Sequence, residues 1–149
     1  MVLGFLERKG KNDHTTIRAI HVPNQKRTIL SSKVREHVEA GSDVFTDSLA
    51  SYRDLNPDFR HQFVDHAERY VDGQVHTNGL ENFWSLLKRS IKGTYVSVEP
   101  FHLFRYLDEQ AFRFNRRGLN DGERFKTICE GMTGKRLTYS RLIGKEEPV

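Results

Sequence analysis

The first third of the chain alternates short apolar runs with turn residues, a pattern typical of β-strands. Residues 2–6 form a mostly apolar run, and residues 15–22 are rich in β-formers with both apolar and polar positions. Turn residues separate the two runs at positions 9–13. We therefore predict an antiparallel hairpin, followed by a helix over residues 27–38, in which Leu30 and Val34 lie one turn apart.

The middle of the chain predicts two further short strands. Residues 43–47 form one of them and end on an acid, Asp47, and residues 61–64 form the other. Residues 48–52 between them predict a helical turn, and residues 56–58 a loop.

Two long amphipathic helices follow. The first is predicted over residues 78–92 and ended by Gly93, with an extended segment at 95–98. The second opens at Pro100, a residue favoured in a first helical turn, and continues to position 116. A short helix is predicted at 123–130. The sum is an α/β or α+β domain of a hairpin, a crossover helix, a further strand and two long helices.

Composition narrows the class of protein. The chain has 149 residues, 36% of them hydrophobic, which suits one globular domain. It contains no apolar run of membrane-span length, and charged residues interrupt the apolar start too early for a signal peptide. A single cysteine, Cys129, excludes an internal disulfide and a multi-cysteine zinc site. A reducing cytosol fits this composition.

The positive charge is concentrated in one stretch. Residues 83–117 carry the whole formal net charge of +4, and eight aromatic residues are interleaved with the basic ones. Clustered positive charge suggests contact with the phosphate backbone of nucleic acid. The aromatic residues recur at helical spacing, so we interpret them as core residues that do not stack on bases.

The first long helix carries two stripes. One stripe is apolar, and the other consists of Asn78, Glu81, Ser85, Lys88 and Lys92. The simplest interpretation is a helix with a core face and a solvated face. However, Glu81 and Lys88 are nearly eclipsed and about 10 Å apart along the axis, too far for an ion pair. They can instead contact two parts of one extended anionic ligand.

The acids indicate a possible metal chemistry. Phosphoryl transfer on nucleic acid uses carboxylates that hold two hard cations. Asp47 at a strand end and Glu81 at a helix start can supply two such carboxylates, and Asn78 offers a neutral oxygen one turn before Glu81. His76 can ligate a metal or contact phosphate, although a loop histidine more often bonds locally.

Four segments together resemble a known family. Residues 76–89, HTNGLENFWSLLKR, are similar to the third catalytic motif of bacterial insertion-sequence transposases with a ribonuclease H-like fold. They match the subgroup in which Asn or Glu completes an Asp-Asp-Glu site. Residues 2–8 resemble the second core strand of that family, residues 44–47 with Tyr52 its second-aspartate motif, and residues 106–117 its closing helix.

The resemblance implies a ribonuclease H-like mixed sheet with flanking helices over residues 1–117, followed by a less regular basic tail at 118–149. It implies that Asp47 is the second metal-binding carboxylate and that Glu81 or Asn78 is the third. Mg²⁺ or Mn²⁺ is the implied cofactor, with two ions in a complete site. The implied reaction is strand cleavage by water, followed by 3′-hydroxyl attack on target DNA.

The resemblance also implies partners and a location. Lys88 stands where such transposases carry a basic residue that contacts the transposon end, and Arg89, Lys92 and His76 are further candidates for DNA contact. The expected partners are transposon-end and target DNA and further copies of the chain, with no membrane. The expected location is the bacterial cytoplasm, in association with the nucleoid.

In the family, the first catalytic Asp lies on a strand before the one that resembles residues 2–6. The expectation is therefore an N-terminally truncated transposase whose first core strand is missing and which is inactive alone. Two alternatives stay open: a non-catalytic DNA-binding fragment that regulates an intact transposase, and a degenerate pseudogene product.

Overall fold

A computed structural model describes residues 1–8, 15–64 and 78–145. The strands and α-helices follow one another along the chain as β1 Val2–Glu7, β2 Thr16–His21, α1 Arg27–His37, β3 Asp43–Asp47, β4 Arg60–Val64, α2 Asn78–Ser90, α3 Leu103–Asn115, α4 Asp121–Met132 and α5 Tyr139–Leu142. Single 3₁₀ turns lie at Ala50–Tyr52 and Pro100–His102, and a π-helical segment at Ile91–Tyr95. None of the helices in these ranges is long and apolar enough to cross a membrane.

The strands form two small sheets. The predicted hairpin is confirmed: β1 and β2 are antiparallel, with Val2 opposite His21 and Glu7 opposite Thr16. β3 and β4 pair in parallel, which places Asp43 opposite Arg60. The predicted mixed α/β class is confirmed. The ribonuclease H-like arrangement stays a prediction, because the described strands form two separate pairs.

The hairpin is covered by helices on both faces. On one face of β1, Leu3 packs with Val22 and Leu30 of α1. On the other face, the β2 residues Ile17 and Ala19 pack with the buried residues of α2 and α3, Phe83, Leu87 and Leu107. Successive side chains of a strand point to opposite faces, so a run of consecutive apolar residues in β1 serves both cores.

Two glycines allow α2 to approach β1 closely. A Cβ atom at Gly4 would lie 2.6 Å from Cζ2 of Trp84, and one at Gly79 would lie 2.9 Å from Cδ2 of Leu6. Both distances are shorter than real Cβ contacts, so a larger residue at either position would require the facing side chains to shift. The close contact fixes the N-terminus of α2 beside the last residues of β1.

The end of α2 differs from the prediction. The sequence predicted a helix stopped by Gly93 and an extended segment from Tyr95, but a π-helical segment continues through Gly93 to Tyr95. Contacts with α3 explain the difference: the Tyr95 hydroxyl donates to Oε2 of Glu109 at 2.6 Å, and its ring lies 4.6 Å from that of Tyr106. The local sequence around Gly93 carries no information about these contacts, so a prediction from that sequence alone ends the helix too early.

The other predicted elements agree closely. The helix that opens at Pro100 runs to Asn115 after a first 3₁₀ turn. α4 is longer than the predicted 123–130, because Asn120 and Glu123 form a capping box that starts the helix at Asp121. The boundary between a domain at 1–117 and a tail stays a prediction.

Candidate active site

The two stripes of α2 are confirmed. Phe83 and Leu87 are buried, with 1% and 6% of their surfaces exposed. The residues of the polar stripe are all exposed: Asn78, Glu81, Ser85, Lys88 and Lys92. His76, another candidate from the sequence, lies outside the described residues.

Asp47 ends β3 with an exposed carboxylate. Its Oδ1 accepts a hydrogen bond from the backbone N–H of Leu49 at 3.2 Å. This bond closes a short turn that leads into the 3₁₀ turn. Burial, together with the Asp47 charge, raises the pKa of Tyr52 to about 12. Tyr52 therefore stays a neutral phenol beside this carboxylate at neutral pH.

Two contacts of the end of β1 place it beside the start of α2 and beside β3. Gly79 lies against Leu6 of β1. Two residues later, the guanidinium carbon of Arg8 is 5.1 Å from the ring centroid of Phe45 in β3, a cation–π contact. Phe45 and Asp47 are alternate residues of one strand and share a face. The end of β1 thus lies beside both β3 and the N-terminus of α2.

Arg8 is the residue that the sequence reasoning missed. It lies in the segment 2–8 that resembles a core strand, but no role was predicted for it, and the signal that could have identified it is its position directly after the end of β1. Partial desolvation lowers the pKa of its guanidinium, which nevertheless keeps its charge at neutral pH. A cation in this place favours anionic groups close to it, whether carboxylates or phosphates.

The three oxygen donors named from the sequence are of the kind that suits Mg²⁺. Carboxylate oxygens of Asp47 and Glu81 and the amide oxygen of Asn78 are ligands that hard cations prefer. Within residues 1–8, 15–64 and 78–145, however, no three His, Cys, Asp or Glu side chains come together as a metal site. The roles of these three residues therefore stay predictions.

The exposed positive charge on α2 is available for a ligand. Lys88, Arg89 and Lys92 are exposed and make no hydrogen bond or ion pair with another described residue. Arg113, by contrast, pairs with Glu109 at 2.9 Å, and Arg117 donates to the carbonyl of Thr15.

The interpretation of the interleaved aromatic residues as core is confirmed for Phe83, Trp84 and Phe114, and three others are half-buried: Tyr95, Tyr106 and Phe112. Phe83 is buried, and its ring lies 5.6 Å from that of Phe114. Phe101 and Phe104 are the exceptions, with 44% and 41% of their surfaces exposed. The aromatic residues of α2 therefore hold the helix in place and leave its polar stripe to face solvent.

Comparison with known proteins identifies the family. Residues 1–115 match the ISXO2-like transposase domain. The chain is also 33% identical over 95 residues to an uncharacterized transposase-like protein of Haemophilus influenzae, which is 63% of this chain and 76% of that protein. No solved structure matches. The matched range contains Asp47 and the whole of α2, and the chain belongs to the ISXO2-like transposase domain family.

Proposed function

We propose that this domain acts on transposon-end and target DNA, with the polar stripe of α2 as the DNA contact and Asp47, Glu81 and Asn78 as ligands for Mg²⁺ or Mn²⁺. The observation that carries the proposal is the family match over residues 1–115, since a transposase domain implies DNA as its partner. The contacts from Gly79 through Arg8 to Phe45 support a common site for the three oxygen donors.

In this proposal the basic residues of α2 contact the DNA, and the oxygen donors hold the metal. Lys88, with Arg89 and Lys92, holds the DNA backbone by charge. Glu81 lies seven residues before Lys88 on the same exposed stripe, about 10 Å along the axis, so one DNA strand can contact both. When bound, a divalent metal would activate the attacking oxygen and neutralise the charge that develops on the phosphate.

DNA binding is the first test. Fluorescence anisotropy with a labelled DNA duplex, repeated over a salt series, should give an affinity that falls steeply with salt. Replacing Lys88, Arg89 and Lys92 with Glu should weaken binding and reduce the slope of log affinity against log salt by about 3, since each phosphate contact contributes about 0.9.

The matched control is a second triple variant with the same change of charge at a different part of the surface. Lys126, Lys135 and Arg136 are exposed and lie beyond the family match. Their replacement with Glu changes the net charge equally. If both triple variants lost the same affinity, or if salt had no effect on binding of the unaltered chain, α2 would not be the DNA contact.

Metal binding is the second test, and it does not depend on activity. Mn²⁺ added to ¹⁵N-labelled protein should broaden the amide resonances around Asp47 and Glu81, and Asp47→Asn should remove that broadening. Asp43→Asn is the control, because Asp43 is an exposed acid at the other end of the same strand, paired with Arg60 at 2.6 Å. Broadening centred elsewhere, or unchanged in Asp47→Asn, would contradict the assignment.

A second candidate function is DNA binding without catalysis, as a regulator of an intact transposase. It is favoured by the incomplete set of acidic ligands in the described residues. Incubation of the chain with supercoiled plasmid and Mg²⁺ or Mn²⁺ separates the two functions. Nicking that Asp47→Asn abolishes supports the catalytic function, and salt-sensitive binding without any nicking supports the regulatory one.

A further inference from the structure

Helix α4 carries an exposed apolar stripe. Its apolar residues are three or four positions apart and therefore lie on one side of the helix: Phe125, Ile128, Cys129 and Met132. All four are exposed, Phe125 at 69% and Met132 at 61%. Among the described residues, no core cluster includes a residue of α4. We call these four residues the α4 stripe, and a contiguous exposed apolar row of this kind is typical of a surface that another molecule covers.

The helix that carries the stripe is already formed in the single chain. Asn120 and Glu123 cap its start, and each side chain bonds the backbone N–H of the other residue. The Arg124 guanidinium donates to the carbonyls of Leu119 at 2.7 Å and Arg116 at 3.2 Å, which holds α4 against the end of the preceding helix. A surface that is preformed loses little conformational entropy when it binds.

The two ends of α4 carry charges of opposite sign. Asp121 and Glu123 lie in its first turn, and Lys135 and Arg136 follow its last residue, Met132, within four positions. All four charged side chains are exposed. If two such helices lie side by side in antiparallel orientation, the acidic end of each meets the basic end of the other, and their dipoles also attract. In parallel orientation like charges would meet at both ends. Charge therefore favours a second, antiparallel copy of α4 as the molecule that covers the stripe.

The α4 stripe also has the symmetry that such a pair needs. Its centre lies between Ile128 and Cys129, and Phe125 and Met132 are equally far from that centre on its two sides. A two-fold axis through the centre brings Phe125 of one copy against Met132 of the other, a favourable contact of sulfur with an aromatic ring. It also brings the two Cys129 thiols close to the axis. A self-complementary surface is what a two-fold interface between identical chains requires.

We propose that the α4 stripe is an interface between two copies of this chain, in which the two α4 helices pack antiparallel about a two-fold axis beside Cys129. The interface lies beyond the range that matches the transposase domain, which ends at residue 115. The proposal goes beyond the proposed contact of α2 with DNA, and no step of it depends on DNA or metal binding.

The size of the surface sets the expected affinity. Two further exposed apolar residues follow the helix, Leu137 at 63% and Tyr139 at 74%. Since an aromatic side chain can bury about 150–250 Å², the stripe and these two residues offer about 600 Å² per copy. The total of about 1,200 Å² is at the lower limit for specific interfaces, so we expect a reversible dimer with a dissociation constant of about 10–100 µM. Below that range the chain is a monomer, and binding or unfolding measurements in dilute solution report on the monomer.

Sedimentation velocity over a concentration series from about 1 to 500 µM tests the interface. The mean mass of the unaltered chain should rise from that of one chain towards that of two. Ile128→Lys places two charges close together at the axis and should weaken the dimer at least about tenfold. Val96→Lys is the matched control, because Val96 is 79% exposed and lies outside α4, and it should leave the dimer unchanged. A chain that stays monomeric throughout, or equal dimerisation of the two variants, would overturn the proposal.

Disulfide formation between copies tests the antiparallel orientation and uses the natural thiol first. Under mild oxidation Cys129 should link two unaltered chains rapidly, since both thiols lie near the axis. In a Cys129→Ser background, Met132→Cys should not link to itself, because the two positions are about 10 Å apart along the axis and a disulfide needs Cα atoms within about 7 Å. A mixture of the Met132→Cys and Phe125→Cys chains should link. Equal rates for Cys129 and for Met132→Cys alone would contradict the antiparallel pair.

An exchange of charges tests the complementarity of the two ends. One variant carries Asp121→Lys with Glu123→Gln, which keeps a capping side chain, and a second carries Lys135→Glu with Arg136→Glu. Each variant alone has like charges at both ends of the pair and should dimerise about three- to tenfold more weakly than the unaltered chain. An equimolar mixture should recover the original affinity, because opposite charges meet again. A mixture that dimerises no better than its two components would show that another arrangement, or another protein, covers the stripe, and the proposal would fall.

Discussion

Helices α2 and α4 are of nearly equal length, but the apolar side chains of α2 are buried and those of α4 are exposed. Both carry apolar residues at helical spacing. In α2, Phe83 and Leu87 are 1% and 6% exposed, whereas in α4 Phe125, Ile128 and Met132 are 69%, 45% and 61% exposed. The family match includes α2 and ends at residue 115, before α4. An apolar stripe becomes core only where other elements reach it, and the hairpin and α3 reach only α2.

The two helices are therefore stabilised in different ways. α2 depends on tertiary packing, which supplies most helix stability in proteins. α4 depends on local contacts: the Asn120–Glu123 capping box and the hydrogen bonds from Arg124 to the carbonyls of Arg116 and Leu119. Substitutions in α2 should affect the whole fold, and substitutions in α4 should affect that helix alone.

The largest difference in the free energy of unfolding is expected between Phe83→Ala and Phe125→Ala. Phe83 packs among Trp84, Phe114 and the hairpin, so its truncation leaves a cavity and should lower the free energy of unfolding by about 3–5 kcal/mol. Phe125→Ala should change it by less than about 0.5 kcal/mol. Urea unfolding followed by circular dichroism measures both. Similar losses in the two variants would show that α4 is packed in solution.

The next largest difference in stability is expected between Gly4→Ala and Gly131→Ala. Gly4→Ala introduces a Cβ atom 2.6 Å from Trp84 and 2.7 Å from Leu80, and should lower the free energy of unfolding by about 2–3 kcal/mol. Gly131→Ala meets no atom within 4 Å and lies in α4, where alanine should add up to about 0.5–1 kcal/mol of helix stability. Thermal melting of both variants provides the measurement. A neutral Gly4→Ala would mean that α2 does not lie against β1.

The smallest difference is expected between two asparagines. Asn115 accepts from the N–H of Ile17 at 2.7 Å and donates to its C=O at 2.8 Å, so Asn115→Ala should lower global stability by about 1–2 kcal/mol. Asn120→Ala removes a helix cap, which costs about 1 kcal/mol and affects α4 alone. Hydrogen exchange separates the two effects, since only Asn115→Ala should speed exchange in β2. Faster exchange there in Asn120→Ala would contradict the local role of the cap.

Local patterns predicted the elements of α2 and the hairpin well. The apolar stripe of α2 and the burial of Phe83 follow from helical periodicity, and the strand ending at Asp47 follows from the run before it. Contacts between distant residues were beyond the sequence. The π-helical segment makes its contacts with Glu109 and Tyr106 of α3, and the parallel pairing of β3 with β4 brings Asp43 beside Arg60.

The candidate site shows the same limit. Asp47, Asn78 and Glu81 were identifiable because acids and amides at strand and helix ends have a chemical signature. Arg8 was not identifiable, because its place at the candidate site is defined by its contact with Phe45, a residue in another sheet. The sequence could name the donors but not the cation between the two strand ends.

The bond between Asn115 and Ile17 also bears on how the chain is made. These residues are 98 positions apart, so at a synthesis rate of about 5–20 residues per second Ile17 leaves the ribosome several seconds before its partner exists. α3, which also supplies the buried Leu107, completes this core last. During that interval the nascent hairpin exposes an apolar face and an open edge, which is the kind of surface that chaperones bind.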